Sequence, residues 1–109
     1  MSMDILIRDK TGAPVSIAEP EYGKIKAIIQ EAQQITAELN TGYHDPKQVR
    51  AIFSRLIGKP VPEDFSLHPP FHTDFGRNIV IGRRVFINHD CEFMDRGGIT
   101  IEDGVFIGP

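Results

Sequence analysis

The sequence predicts an α-helical N-terminal segment that leads into a three-cornered solenoid of short stacked β-strands. Three observations carry this. Apolar residues recur at helical steps between Tyr22 and Ile57, prolines break the pattern over residues 58–74, and a six-residue apolar period begins at Phe75. The chain therefore divides into a helical segment (1–57), a proline-rich connector (58–74) and the start of the solenoid (75–109).

The first helix is expected after "SIAE", Ser16 to Glu19, which has the spacing of a capping box with Pro20 in the first turn. Tyr22, Ile25, Ile28, Ile29, Ala32, Ile35 and Leu39 then form one apolar face. "NTG" at Asn40–Gly42 ends it, because Asn and Gly accept the left-handed conformation of a C-cap. "DPKQ" starts the next helix, with Asp45 as cap, Pro46 at the first helical position and Gln48 closing the box. Its buried face is Val49, Ile52, Phe53, Leu56 and Ile57, and Gly58 stops it. "LHPPFHTDFG" is too rich in proline for a central strand and reads as extended connector.

In the last third, Phe75, Ile81, Ile87 and Phe93 lie six apart, and Ile79, Val85 and Cys91 follow the first three by four residues. At about 3.6 residues per turn a helix cannot keep such positions on one face. A flat strand would repeat every two residues. Short strands joined by corners around a triangular core do give a period of six. Asn78, Gly82, Asn88, Gly97, Gly98 and Gly104 are suited to corners with positive φ. After Phe93 the frame slips by two before Ile101 and Ile107, which marks "DRGG" as a widened corner. The competing reading is a sheet of hairpins turning at "RGG" and "EDG".

Composition narrows the function. The chain has 109 residues, 40% hydrophobic and 25% charged, with a net charge of -3. No basic surface dominates, so nucleic acid is not an expected partner. The single cysteine, Cys91, excludes an internal disulfide and suits a reducing compartment. No apolar run approaches the roughly 20 residues that span a bilayer, so no membrane partner is expected. "MSMDILIRDK" carries charges within its short apolar run, unlike a signal peptide. A cytoplasmic location is the expectation.

"NTGYHDPKQVRAIFSRLIGKPV", "PPFHTDFGRNIVIGRRVFINHDCEFMD" and "GGITIEDGVFIGP" resemble the hexapeptide-repeat sugar O-acetyltransferases, the maltose and galactoside O-acetyltransferases and their relatives. The resemblance runs from about Tyr22 onward. It implies an all-β left-handed parallel β-helix, here incomplete, behind an N-terminal α-helical segment. It implies an enzyme assembled as a homotrimer that moves an acetyl group from acetyl-CoA to a sugar hydroxyl, with sites between subunits and no metal. A histidine acts as general base in such enzymes, and donors hold the oxyanion. That histidine is expected beyond Pro109, so none of these residues is assigned as catalytic and the chain alone is expected to be inactive.

By the same resemblance Asp74, Asn88 and Asp95 are the candidate acceptor-binding residues. Arg96 stands where relatives carry a second aspartate, Phe86 where a tyrosine is common, and Glu19 is a candidate acidic contact from the N-terminal segment. Asp and Asn are also favoured at corners for local hydrogen bonds alone. His72 and His89, 17 residues apart, would approach one another if a coil took about 18 residues, with Asp90 beside them. A zinc site is the functional reading of that pair and two outward polar residues the plain one. His44 and His68 read as surface and connector residues, Cys91 as a small core residue, and Arg77, Arg83 and Arg84 as solvated. The alternative function is a non-catalytic sugar-binding or assembly module with a partial β-helix. Phe75 to Pro109 makes less than two coils, whereas repeat arrays need about three units to bury a core. A fragment, or a second chain covering the last coil, is expected.

Overall fold

The computed structural model describes residues 4–109; Met1–Met3, at the head of the expected helical segment, lie outside them. The N-terminal part holds one more helix than the apolar pattern indicates. Helix α1 (Ile5–Thr11) starts where the Asp4 carboxylate accepts the Leu6 N–H at 2.8 Å and stops at Gly12, φ 83°. "SIAE" does not open a helix. The Ser16 N–H donates to Glu19 at 2.8 Å, but the Ser16 hydroxyl takes the Ala18 N–H instead of the third amide. Glu19 is at the same time ion-paired with Arg8, so the motif ties a turn against α1. Helix α2 (Tyr22–Leu39) begins only after it and buries Ile25, Ala32, Ile35 and Leu39.

Helix α3 (Pro46–Ile57) follows its sequence signals. Gln48 N–H donates to Asp45 at 2.8 Å, Asp45 N–H donates to the Gln48 side chain at 2.9 Å, and Gly58 at φ 72° ends the helix. All five predicted apolar residues are buried. Between the two long helices Asn40 is the C-cap of α2, as expected, but not in the left-handed conformation. Its φ is -91°, and Gly42 takes the left-handed conformation.

The seven strands are β1 (Ser66–Leu67), β2 (Phe71–Thr73), β3 (Ile79–Ile81), β4 (Phe86–Ile87), β5 (Cys91–Phe93), β6 (Ile99–Ile101) and β7 (Phe106–Ile107). They form three parallel sheets, β1-β4-β7, β2-β5 and β3-β6, the three sides of a coil. Ser66 pairs with Phe86 and Phe86 with Phe106, so one coil takes 20 residues. No hairpin forms among the described residues.

Two expectations change with this register. The solenoid begins at Ser66 rather than Phe75, so the connector is shorter than its prolines suggest. Pro69 and Pro70 fit because they occupy a corner, where no ladder needs their missing N–H. The coil is also longer than 18 residues, because the widened corner occurs twice, at 74–78 and again at 94–98. Phe75 falls inside the first of these corners. Thr73, not Phe75, pairs with Phe93, and Phe75 packs outward against Ile5 of α1 and Ile25 of α2. Ile81, Ile87 and Phe93 do pack into the main core, along with Leu67, Phe71, Ile79, Val85 and Cys91.

The core runs up from the helices into the coil. Phe53 of α3 stacks on Phe65 at 4.8 Å and meets Phe71 edge-on at 5.3 Å, and Phe71 meets Phe93 at 5.1 Å. Such offset and edge-on pairs are the favourable aromatic geometries. Positive φ also falls on different residues from those expected. Gly98 and Gly104 adopt it, but Asn78, Gly82, Asn88 and Gly97 do not, while Gly76, Arg84 and Asp90 do. Gly82 is instead required by space, since a Cβ there would meet Asp103 Oδ1 at 2.5 Å.

Gly76 carries both demands. Its φ is 84°, and a Cβ would lie 2.7 Å from the Leu56 carbonyl oxygen at the end of α3. Gly76→Ala is expected to destabilise the chain by about 2 kcal/mol or more, the sum of left-handed strain and a backbone clash. Urea unfolding monitored by circular dichroism measures it, and an unchanged midpoint would refute the close approach of α3.

Candidate functional site

The widened corner after β2 and β5 gathers the ionisable side chains. Asp95 is fully buried there. Its Oδ1 accepts the Thr73 hydroxyl and the Gly76 N–H, both at 2.8 Å, and its Oδ2 accepts the Asn78 N–H at 3.0 Å. All three donors belong to the coil beneath. A carboxylate that accepts this many bonds can be buried at tolerable cost. It also has no face left for a ligand, so Asp95 holds the corner and leaves the set of acceptor contacts expected from sequence.

Asp74 stays half-buried beside it. It accepts the Asp95 N–H at 3.2 Å through Oδ1, and its own backbone N–H and the Asp95 carboxyl group also lie against it. Burial pushes its carboxyl above the usual range, the Asp95 amide opposes this, and the Asp95 charge adds to it. Arg96, next along the chain, turns to α1. Its Nη2 and Nε donate to the two oxygens of Asp9 at 2.6 and 3.0 Å, a bidentate pair in which the Asp9 side chain is 10% exposed and Arg96 36%. The Asp9 hydrogen bond raises the Arg96 pKa above its already high value, against a smaller opposing effect of burial, with Tyr22 and Asp74 close enough to contribute. The corner thus presents a half-buried carboxylate beside a positioned guanidinium.

Asp9 was not legible as a site residue. It lies 87 positions from its partner, and the only signal available was an acid on a short charged helix. Glu19, the acid singled out from sequence, is held by Arg8 and Ser16.

Asn88 belongs to another corner. It follows β4, its Oδ1 accepts the His89 N–H at 2.8 Å, and its backbone N–H donates to Ile107 at 2.9 Å. Phe86 lies two residues before it on the same side of the coil, flanked by His68 at 5.0 Å and by Phe106 at 5.9 Å. Asp74 and Asn88 therefore sit at opposite ends of the β2-β5 side. The structure brings Asp74, Arg96 and Asp9 together and keeps Asn88 and Phe86 apart from them.

The 20-residue coil also separates the histidines. His72 pairs with Glu92, not His89. Among the described residues no group of three His, Cys, Asp or Glu is arranged to hold a metal ion. Cys91 is buried with its thiol pKa raised by that burial, and its Sγ lies 3.3 Å from the Gly108 carbonyl. Arg77 pairs with Glu31 at 2.9 Å and Arg83 with Asp64 at 3.8 Å, both at the surface. Arg84 is exposed and adopts φ 53°, its N–H held by Asp64 at 3.0 Å. No helix among the described residues is long and apolar enough to cross a membrane.

No family model matches the chain. The chain is 46% identical over 98 residues to Nodulation protein L of Rhizobium meliloti (strain 1021), an alignment covering 90% of this chain and 52% of that protein. It is 51% identical over 43 residues to Nodulation protein L of Rhizobium leguminosarum bv. viciae, 39% of this chain and 23% of that one. Among solved structures, a hexapeptide-repeat-containing acetyltransferase of Vibrio cholerae O1 biovar eltor, complexed with acetyl coenzyme A, superposes with a TM-score of 0.76. That match has 29% identity and covers 98% of this chain and 56% of the other. At most, then, the chain spans about half the length of these relatives.

The raised pKa of Asp74 gives a signed prediction. The folded state keeps this proton to higher pH than the unfolded chain, whose value is near 3.8. Ionising Asp74 therefore weakens folding, and its contribution declines as pH rises from 3.8 through the folded value. Compared with Asp74→Asn in urea titrations, the unmodified chain should fare best at the acidic end and lose ground toward neutral pH. A difference that is flat with pH would contradict the burial of this carboxylate.

Proposed function

We propose that residues 4–109 form the acceptor-side part of an acetyl-CoA-dependent O-acetyltransferase that acts on a sugar hydroxyl, built on a left-handed parallel β-helix and working as a homotrimer. The observation that carries this reading is the superposition of nearly the whole chain on an acetyltransferase that binds acetyl coenzyme A. The corner chemistry supports it. The half-buried Asp74 carboxylate accepts a hydrogen bond from one hydroxyl and the Arg96 guanidinium donates to another, a pairing that suits neighbouring hydroxyls on a sugar ring. Asp9 keeps the guanidinium in place and offsets its charge.

Asn88 and Phe86 belong to the same proposed site across a subunit boundary. One protomer cannot close them on Asp74, because a side of the coil intervenes. A neighbour related by threefold rotation can present its Asn88 corner to the Asp74 corner of the first. In the reaction the acceptor oxygen attacks the thioester carbonyl, the carbon–sulfur bond breaks, and the hydroxyl proton passes through a general base to the departing thiolate. None of the residues described here is assigned as that base.

Acetyl-CoA and a panel of mono- and oligosaccharides, incubated with the complete product of the gene, should yield acetylated sugar by mass spectrometry. Asp74→Ala should lower kcat/KM by about tenfold or more, as expected for a lost hydrogen bond to a polar substrate group. Light scattering should give three times the protomer mass, unchanged in the variant. A monomer, or a sugar panel with no acetylated product, would overturn the assignment.

A further inference from the structure

The first coil has no coil beneath it, so its outward backbone groups need other partners. In a parallel ladder, alternate residues face opposite neighbours. On β2 the outward residues are Phe71 and Thr73, and the Asn40 side chain closes the first. The Phe71 N–H donates to Asn40 Oδ1, and Asn40 Nδ2 donates to the Phe71 carbonyl, both at 2.9 Å. On β3 the ammonium of Lys59 donates to the Ile79 carbonyl at 2.6 Å and to that of Arg77 at 3.2 Å. On β1 the Ser66 and His68 N–H groups donate to Val85 and Ile87 at 3.1 and 3.0 Å. Leu67 between them therefore points its N–H and C=O away from β4, and no group among the described residues closes that pair.

This open pair lines a cleft of about 440 Å³ between β1 and the link from α2 to α3. Tyr43, His44, Val49, His68 and Pro69 help to wall it. His44 is fixed by its Nε2 hydrogen bond to the Glu38 carbonyl at 2.8 Å. Tyr43 is 86% exposed and stands at the rim. The volume is within the range of small-molecule sites, and the walls are mostly apolar with a few polar groups, as such sites are.

We propose that this cleft binds a compact primary carboxamide or lactam carried on an aromatic ring. Asn40 on Phe71 shows the recognition on the neighbouring strand. One amide edge, acceptor beside donor, satisfies one outward N–H and C=O pair. A ligand amide does the same for Leu67 while its ring lies against Val49, Pro69 and Tyr43. An added peptide strand is disfavoured, because β1 is two residues long and Pro69 has no N–H to extend the ladder. This site is separate from the Asp74 corner and does not depend on the acetyl-transfer reading.

Titration of the 109-residue chain with benzamide, followed by ¹⁵N–¹H correlation spectra, tests it. Saturable shifts are expected at the Leu67 and His68 amides and none at Phe71, which is already closed. Benzoate lacks the donor and should bind about tenfold more weakly, the effect of one unmade hydrogen bond. Tyr43→Ala, at an exposed position, should preserve the spectrum and weaken benzamide binding several-fold by removing a wall. Leu67 amide exchange should be fast alone and slowed by benzamide. Absence of a saturable Leu67 shift, or equal affinity for benzoate, would overturn the proposal.

Discussion

A stacked coil satisfies its backbone through the coil on either side, and the first coil has a neighbour on one side only. Unpaired backbone groups at such an edge cost free energy or invite aggregation. Much of the N-terminal architecture answers this constraint. Helix α3 lies across the open end and inserts Phe53 between Phe65 and Phe71, so the apolar interior is closed by a ring rather than by water. Asn40 and Lys59, just past the ends of α2 and α3, supply the polar part of the closure. Lys59 gives up hydration to do so, and its pKa is lowered chiefly by that burial. Gly76 lets the end of α3 approach the corner closely enough for these contacts.

The widened corner is built on the same logic one coil higher. Asp95 reaches down to three donors of the coil below and fixes the spacing of two consecutive corners. With that anchor set, Asp74 and Arg96 on either side are presented from rigid backbone. The N-terminal helix is tied in by Asp9 on one flank and by Ile5 against Phe75 on the other. Position 75 in the first coil and position 95 in the second are equivalent in register, one apolar and one acidic. The first meets the helices and the second meets the coil beneath.

What could be read from sequence follows from the range of the interactions. Helix α3 was legible to the residue, because its caps and apolar face lie within a few positions of each other. The presence of a solenoid was legible because its period is local. Its register was not. The slip of two after Phe93 was visible, but its twin before Ile79 was hidden by a phenylalanine that fits the six-residue frame while packing elsewhere. The start at Ser66 was hidden by prolines, which a strand interior excludes but a corner accepts. Asn40 was legible as the cap of α2 but not as the closure of Phe71, because that partner lies 31 residues away. Of the candidate corner, Asp74 was marked by the resemblance; Asn88, marked with it, lies at another corner, and Asp95 is fully buried beneath the rim. The grip of Asp9 on Arg96 depends wholly on the tertiary fold.

The two five-residue corners have a bearing on how such a chain can vary in length. Within β2 or β5 a single extra residue would invert the side chains beyond it, because successive residues on a strand point to opposite faces. Beside Gly97, exposed and with open space around it, an added residue only enlarges an arc that already bulges from the triangle, whereas the first corner is closed by Gly76 against Leu56. Added residues are therefore best absorbed there, next to Arg96, where the shape of the rim can drift while the stacked sides keep their alignment.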